Sequence, residues 1–458
     1  MSSSPLTSAN SSALTSPESS PEPNGSSLSK NSTLSKACSR IQHASRRDRI
    51  TQTPLPPFFD VDGMQLKPTP QFNMLWYWLA ERQEIYVRRQ QGLPREEWTN
   101  DPIMRDFRFC NAYRVLDRES QFLIREVIQK GKQTPVEIAF RVLLYDIFTR
   151  QSTYELLQQH IGKLQWKTYN RERYSEVLRS HKGSLYTAAF QKTSSSDAAT
   201  KNRPRYEAHL DDLERFMSDK LPRRIAKATH SVEVYEYFLW QRSYAHFKSY
   251  QVTVNFTYTP LLNFNANDFV VPGPGARKGL TRMFGTSLAS ACAKDPTAEM
   301  RALLWLTRTQ QEHFERCGLE FKLLNGDRPL EVPDIEHAVC ELDKYLRGGA
   351  RKVYKVAEGG ARLPPPVLPE AWKQKARRES NVREAWPNLV KEKSWDLEEI
   401  VGDKVEDGVT WVRVKWVGFP ESKNTWERAS HIRHDSRTAM VEYMKKRKGK
   451  KTMGKRKR

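Results

Sequence analysis

The sequence predicts a multidomain chain: a mostly α-helical central domain, then a small α+β unit built from a short curved antiparallel sheet and a C-terminal helix. Three observations carry that expectation. Apolar residues recur at three- and four-residue steps, with helix start and stop signals, from Phe58 to about residue 350. In Thr410 to Trp416 apolar and polar side chains alternate instead, after an Asp407-Gly408 turn signal, which is the pattern of a half-buried hairpin strand. The two ends of the chain have neither pattern: the first 57 residues are Ser-, Thr- and Pro-rich, and the last fourteen hold ten Lys or Arg and no acid.

The resulting division is 1–57 disordered, 58–350 helical, 351–393 linker, 394–444 the small α+β unit and 445–458 a basic tail. Residues 1–57 have too little apolar surface to offset the entropy of ordering them. In the helical domain, Phe72, Leu75, Trp76, Leu79 and Tyr86 fall on one stripe, and Gly92-Leu-Pro ends that helix. Asp101-Pro102 reads as an N-cap followed by proline in the first turn. The spacing then predicts one long helix from Asp106 to Gln129, with Asn111, Arg114, Arg118, Gln121 and Arg125 sharing a face and Asp117 beside them.

Thr134-Pro-Val-Glu137 and Ser152-Thr-Tyr-Glu155 read as capping boxes. Further on, Val271-Pro-Gly273-Pro-Gly275-Ala-Arg277-Lys278-Gly279 is a Gly-rich turn that opens a helix. Free amides at such a turn bind phosphate, Arg277 and Lys278 add charge, and Gly273 and Gly275 would let a backbone phosphate approach. The pattern resembles a helix–hairpin–helix grip on DNA. No G-x-x-x-x-G-K-[ST] is present, so a P-loop kinase is excluded. The last helix of this domain runs from Pro333 to Arg347, with Ile335, Ala338, Leu342 and Leu346 on its core face and Glu336, Cys340, Asp343 and Arg347 on another.

The net charge of +22 favours a polyanionic partner, and the Lys445–Arg458 block reads as a nuclear import signal with affinity for DNA. No stretch approaches the length of a membrane span, and the Ser-rich start lacks the order of a signal peptide. The five cysteines are widely spaced and His431-x-x-His434 has no partner pair, so neither a metal nor another cofactor is expected.

Lys415-Trp-Val-Gly-Phe419 and Asn424-Thr-Trp-Glu427, with Trp395 ahead of the first strand, resemble a chromodomain over about forty residues. The resemblance implies a cage of Trp395, Trp416 and Phe419 around a methylated lysine of a histone tail. Trp426 reads as part of the small core. Lys423 departs from the heterochromatin-type pattern, which has an acid there.

A second resemblance spans Trp76 to Arg347. Its blocks are Glu81-Arg82, Trp98-Thr-Asn-Asp-Pro102, Arg108-Phe-Cys-Asn-Ala-Tyr-Arg114 with Asp117-Arg118, Gly273-Pro-Gly-Ala276, and Asp334-Ile-Glu-His337 with Cys340-Glu341 and Asp343-Lys-Tyr345. Together they resemble the helical domain of hydroxymethyluracil DNA kinases, within a clade of thymine pyrophosphorylase-type, distantly glycosylase-like DNA-hypermodifying proteins. That implies a DNA-base-processing enzyme in the nucleus, with Asp117, Asp268, Glu336 and Asp343 as acid or base candidates. Asn111, Arg114, Arg118, Gly273, Gly275, Arg277 and Lys278 would hold DNA. Where the resemblance implies an acid after Gln251, this chain has Val252-Thr-Val-Asn255. A non-catalytic adaptor that holds DNA beside a histone tail therefore stands as the rival reading.

Overall fold

The computed structural model describes residues 46–187, 203–218, 220–239, 244, 246–348, 362–373, 397–406, 409–416, 420–429, 432, 439–444 and 446–447. Two separate hydrophobic cores organise them, one helical and one around a three-stranded sheet.

The helical core begins upstream of Phe58. Ile50 is buried, and Asn73 Nδ2 donates to the carbonyls of Ile50 (3.2 Å) and Thr53 (2.8 Å). A short hairpin follows, Phe59–Val61 (β1) against Met64–Leu66 (β2). Helix α1, Phe72–Gln91, is buried nearly all round rather than along one stripe: Met74, Tyr77 and Trp78 are enclosed as well as Trp76 and Leu79. A helix of that kind lies inside its domain rather than on its surface. It stops at Gly92, whose φ of 83° lets its N–H reach back to the carbonyls of Arg88 and Arg89.

Asp101 caps the next short helix as expected, accepting from the N–H groups of Ile103 (2.9 Å) and Met104 (3.1 Å). The single helix expected over 106–129 does not form. Residues 107–117 are irregular, with one 3₁₀ turn at Arg114–Leu116; Arg118–Phe122 is α-helical and Leu123–Ile128 is π-helical. Side chains take the backbone groups that a helix needs. Arg82 Nε donates to the Cys110 carbonyl (2.8 Å), Asn111 Nδ2 to that of Leu116 (2.8 Å), and Asp117 Oδ1 accepts from the Asn111 N–H (2.8 Å). Short polar side chains compete with helix in this way. Likewise Glu137 of α2 (Pro135–Phe148) does not complete a capping box. It accepts instead from the N–H groups of Trp166 (2.7 Å) and Lys167 (3.2 Å).

Three later helices frame the site: α3 (His246–Thr257), α4 (Pro274–Lys294) and α5 (Val332–Leu346). Helix α5 starts with a capping box between Glu331 and Asp334. Helices α4 and α5 pack at backbone distance. A Cβ at Gly279 would stand 2.1 Å from the Val339 carbonyl oxygen, and one at Gly275 would stand 2.2 Å from Cys340 Sγ. Part of the expected linker is also ordered against this domain: Gln121 clasps Val367 through its side-chain amide (2.9 and 3.2 Å), and the Arg328 guanidinium lies 3.9 Å over the Trp372 ring.

In the second core, Leu397–Glu406 (β3), Val409–Trp416 (β4) and Thr425–Arg428 (β5) form an antiparallel sheet in that order. Ile400, Val412 and Val414 pack with Ala429, Ile432 and Met440, the last on the C-terminal helix at 439–444. The alternation read in Thr410–Trp416 is thus the alternation of core and solvent.

The glycine contacts generate a prediction. Gly279→Ala and Gly275→Val each force α4 away from α5, which costs about 1–3 kcal/mol or more. Thermal unfolding of the full chain should show both melting well below wild type. An unchanged melting temperature for Gly279→Ala would refute the close crossing.

Candidate functional site

Helix α5 carries an unusual density of buried polar groups. Asp334, Glu336, Glu341 and Asp343 are all buried, and His337 and Cys340 are half-buried. Unpaired, such charges would cost several kcal/mol each to bury. Backbone N–H groups from two other segments hold three of the carboxylates. Asp334 Oδ1 accepts from Arg114 N–H (2.7 Å) and its Oδ2 from Glu331 N–H (2.9 Å). Glu336 Oε1 accepts from Gly273 N–H (2.9 Å), and Glu341 Oε2 from Cys110 N–H (3.4 Å). The irregular loop 107–117, the turn at Gly273 and helix α5 therefore meet at one place.

At that place the titration properties are far from ordinary. Burial, and then the charge of Glu331, push the Asp334 carboxyl up to about 7. Burial raises Glu336 as well, against the pull of the Gly273 N–H, His337 and Arg114. His337 goes the other way. Burial pulls its pKa down, but Cys110 and Asp117 outweigh that and hold it well above the ordinary imidazole value. Its Nε2 lies 3.3 Å from Asp117 Oδ2. Close to this group lies Tyr250 of α3, fully buried, its pKa raised far up by burial first and then by Glu336. Four buried polar atoms at or near the cluster have no hydrogen-bond partner among the described residues: Tyr250 Oη, Arg114 Nε, Arg82 Nη1 and His337 Nε2. Burial pushes the Arg82 guanidinium down to about 10.

Of the acid or base candidates, Asp117 and Glu336 belong to this cluster. Asp268 is tied to the start of a neighbouring helix, accepting from Ser231 N–H (2.7 Å), though its charge reaches Tyr250. Asp343 is held by Arg282 (2.7 Å) and Arg347 (3.0 Å) on another side of α5. Asn111, Arg114 and Arg118 do not share a face, because the helix that would have aligned them is absent. Asn111 is buried with Arg82 Nη2 on its Oδ1 (2.8 Å), whereas Arg118 is 67% exposed and pairs with Glu119.

The Gly-rich turn also differs from its expected use. Gly273 gives its N–H to Glu336, and Gly275 and Gly279 face α5, so helix packing accounts for these glycines without a phosphate. Arg277 and Lys278 remain at the surface, with Arg277 3.4 Å from Glu299. Beside the turn is a cleft of about 370 Å³ lined by Tyr235, His246, Phe247, Phe269, Pro274 and Arg277 among others. Gly273 separates cleft from cluster: a Cβ there would lie 2.7 Å from the Phe247 ring and 3.2 Å from Glu336 Oε1.

In the sheet domain, Trp416 is half-buried and donates Nε1–H to Thr425 Oγ1 (3.0 Å). Trp395 and Phe419 lie outside the described residues. Trp426 is not a core residue: it is 41% exposed, with Lys404 Nζ 5.0 Å over its ring. Sequence reasoning missed Tyr250, Asp334, His337 and Cys110 as site residues, although the last three stand in the blocks that carry the family resemblance. Tyr250 has no local signal, since nothing in its neighbours announces a tyrosine facing carboxylates.

Asp334 gives a pH prediction. Its folded pKa of about 7 exceeds the ordinary 3.8, so the unfolded chain releases this proton first. Its contribution to stability is complete below pH 3.8 and is lost as pH rises through 7. Urea unfolding across that range should show Asp334→Asn losing less stability with rising pH than wild type. Parallel curves would contradict the raised pKa.

Residues 69–355 match the family described as "5-hmdU DNA kinase, helical domain", and residues 395–446 match the "Chromo (CHRromatin Organisation MOdifier) domain". A relative from Bacillus phage SP10, a "5-hmdU DNA kinase", is 24% identical over 317 residues, 62% of this chain and 47% of its own length. The chain thus spans about half the length of that relative. No solved structure matches. With well over half of its residues matched to that model, the chain belongs to the 5-hmdU DNA kinase helical-domain family and carries a C-terminal chromodomain.

Proposed function

We propose that this protein is a nuclear, chromatin-bound factor whose helical domain acts on a base in DNA while its chromodomain reads a methylated lysine in a histone tail. One observation carries the first half: a half-enclosed cluster of carboxylates, His337 and Arg114 contains buried polar atoms that the fold leaves unpaired, beside an aromatic cleft. An unsatisfied buried donor costs about 1–3 kcal/mol, so a fold tolerates several together where a ligand completes them. A nucleobase flipped from the duplex has polar edges that fit the unpaired atoms of the cluster, and the aromatic cleft across the Gly273 turn offers a separate flat surface for a neighbouring base. Glu336, protonated more readily than an ordinary carboxyl, is the acid–base group of this reading. Arg277 at the cleft and the exposed Lys278 beside it in sequence, with the basic tail, supply phosphate contacts.

The adaptor reading keeps one specific support: Asn255 stands where the family resemblance implies an acid. Nucleoside mass spectrometry of DNA incubated with the protein separates the two. A new or lost base that disappears with Glu336→Gln establishes an enzyme, whereas unaltered nucleosides with intact DNA binding leave the adaptor.

For the chromodomain, the half-buried Trp416 is one wall of the cage. Trp416→Ala should weaken binding of a trimethyl-lysine histone peptide by about 1–2 kcal/mol in calorimetric titration. Equal affinity of the wild-type protein for methylated and unmethylated peptide would overturn the reading. Truncation after Met444 should flatten the salt dependence of DNA binding by roughly 0.9 log units for each phosphate that the basic tail neutralises.

A further inference from the structure

Cys110 and His337 stand far apart in the chain. The fold nevertheless brings one ligand atom from each, with one carboxylate oxygen of Asp117, to within 4.8 Å of one another. All three residues are half-buried, so the group is sheltered but not sealed from water. We propose that Cys110, Asp117 and His337 bind a single divalent transition-metal ion of the zinc class.

Geometry supports this first. Ligands about 2.0–2.3 Å from a tetrahedral zinc stand roughly 3.3–3.8 Å from each other. His337 Nε2 and Asp117 Oδ2 are 3.3 Å apart, at that spacing. The imidazole nitrogen is buried and forms no well-directed hydrogen bond, even to the oxygen beside it.

The donor set points the same way. Thiolate, carboxylate and neutral imidazole together carry two negative charges, which one divalent ion neutralises. A soft sulfur with a borderline nitrogen selects zinc-like ions over magnesium or calcium. Three protein ligands leave a fourth position for water or substrate, the arrangement of sites that activate water rather than of closed structural sites.

The surroundings complete the case. Asp117 is oriented through its other oxygen by the Asn111 N–H (2.8 Å), and Asn111 by Arg82 (2.8 Å). Cys110 is fixed through its own N–H to Glu341. Outer partners of this kind set ligand orientation in metal centres. They also give a purpose to Arg82 and Asn111, which hold loop 107–117 out of a helix. Metal binding here does not depend on DNA as substrate.

The test uses the full-length, untagged protein. Purified with zinc present and then dialysed, it should hold close to one zinc per chain by elemental mass spectrometry. Cobalt(II) in place of zinc should give the visible bands of a tetrahedral ion together with a near-ultraviolet thiolate-to-cobalt band. Cys110→Ser should abolish the thiolate band, and Asp117→Asn should weaken cobalt binding at least about tenfold. Because the Asn side chain retains an oxygen to accept the Asn111 N–H, the metal-free Asp117→Asn protein should keep its helical circular dichroism. Wild-type protein that takes up neither zinc nor cobalt overturns the proposal. So does a thiolate band that survives Cys110→Ser, which would place the ion on another cysteine.

Discussion

The crossing of α4 and α5 at backbone distance is the constraint on which the site depends. With hydrogen atoms at Gly275 and Gly279, the first turns of α4 seat directly on Val339 and Cys340. That contact fixes where Gly273 sits, and hence that its N–H meets Glu336 rather than solvent. It also sets the Phe247 ring against one side of the turn and the carboxylate against the other. A larger residue in this crossing would lift the turn off α5 and leave Glu336 buried without its donor, a loss comparable to the packing defect itself.

Helix α5 meets two opposed demands. Its apolar face, Ile335, Ala338, Val339 and Leu342, closes the domain core, while Asp334, Glu336, Glu341 and His337 are drawn in with it. The fold meets the electrostatic cost with backbone N–H groups from loop 107–117 and the Gly273 turn, which carry no counter-charge of their own. Asp334 and Glu336 are therefore solvated but not neutralised, whereas Glu341 also pairs with Lys344. This is why Asp334 and Glu336 hold protons more tightly than surface carboxyls, while His337, facing Cys110 and Asp117, holds its proton as well. Proton affinities displaced in this way belong to acid–base sites more often than to plain structural pairs.

Elements whose signals are local were legible in the sequence. The stop at Gly92, the cap at Asp101, the helix opening at Gly273 and the hairpin strand before Trp416 each depend on a few adjacent residues. The helix expected over 106–129 failed for a reason no local pattern contains. Arg82, 28 residues before Cys110, and Asp334, 220 residues after Arg114, capture the backbone groups that would have closed it. Trp426 misled in the opposite sense: the small core is filled by Ala429, Ile432 and Met440, leaving that ring at the surface under Lys404. The site itself was half legible. Asp117, Glu336 and Arg114 could be nominated, but their assembly with Cys110, His337 and Tyr250 is a fact of tertiary structure alone.

Asn255 bears on the choice between enzyme and adaptor, and its surroundings change the weight it carries. In α3 its Nδ2 donates to Asp146 Oδ1 (3.2 Å), and the other oxygen of Asp146 accepts from Tyr244 (3.3 Å). Asp146 is buried. A carboxylate at position 255 would put two acids in that space, and like charges so close share a proton rather than both ionise. With an amide at 255, Asp146 keeps a donor and stays accommodated as the single acid. The change therefore does not strip the locality of a carboxylate; it decides which of two neighbouring positions bears it. An amide at 255 thus leaves this place in the fold with one buried carboxylate, that of Asp146.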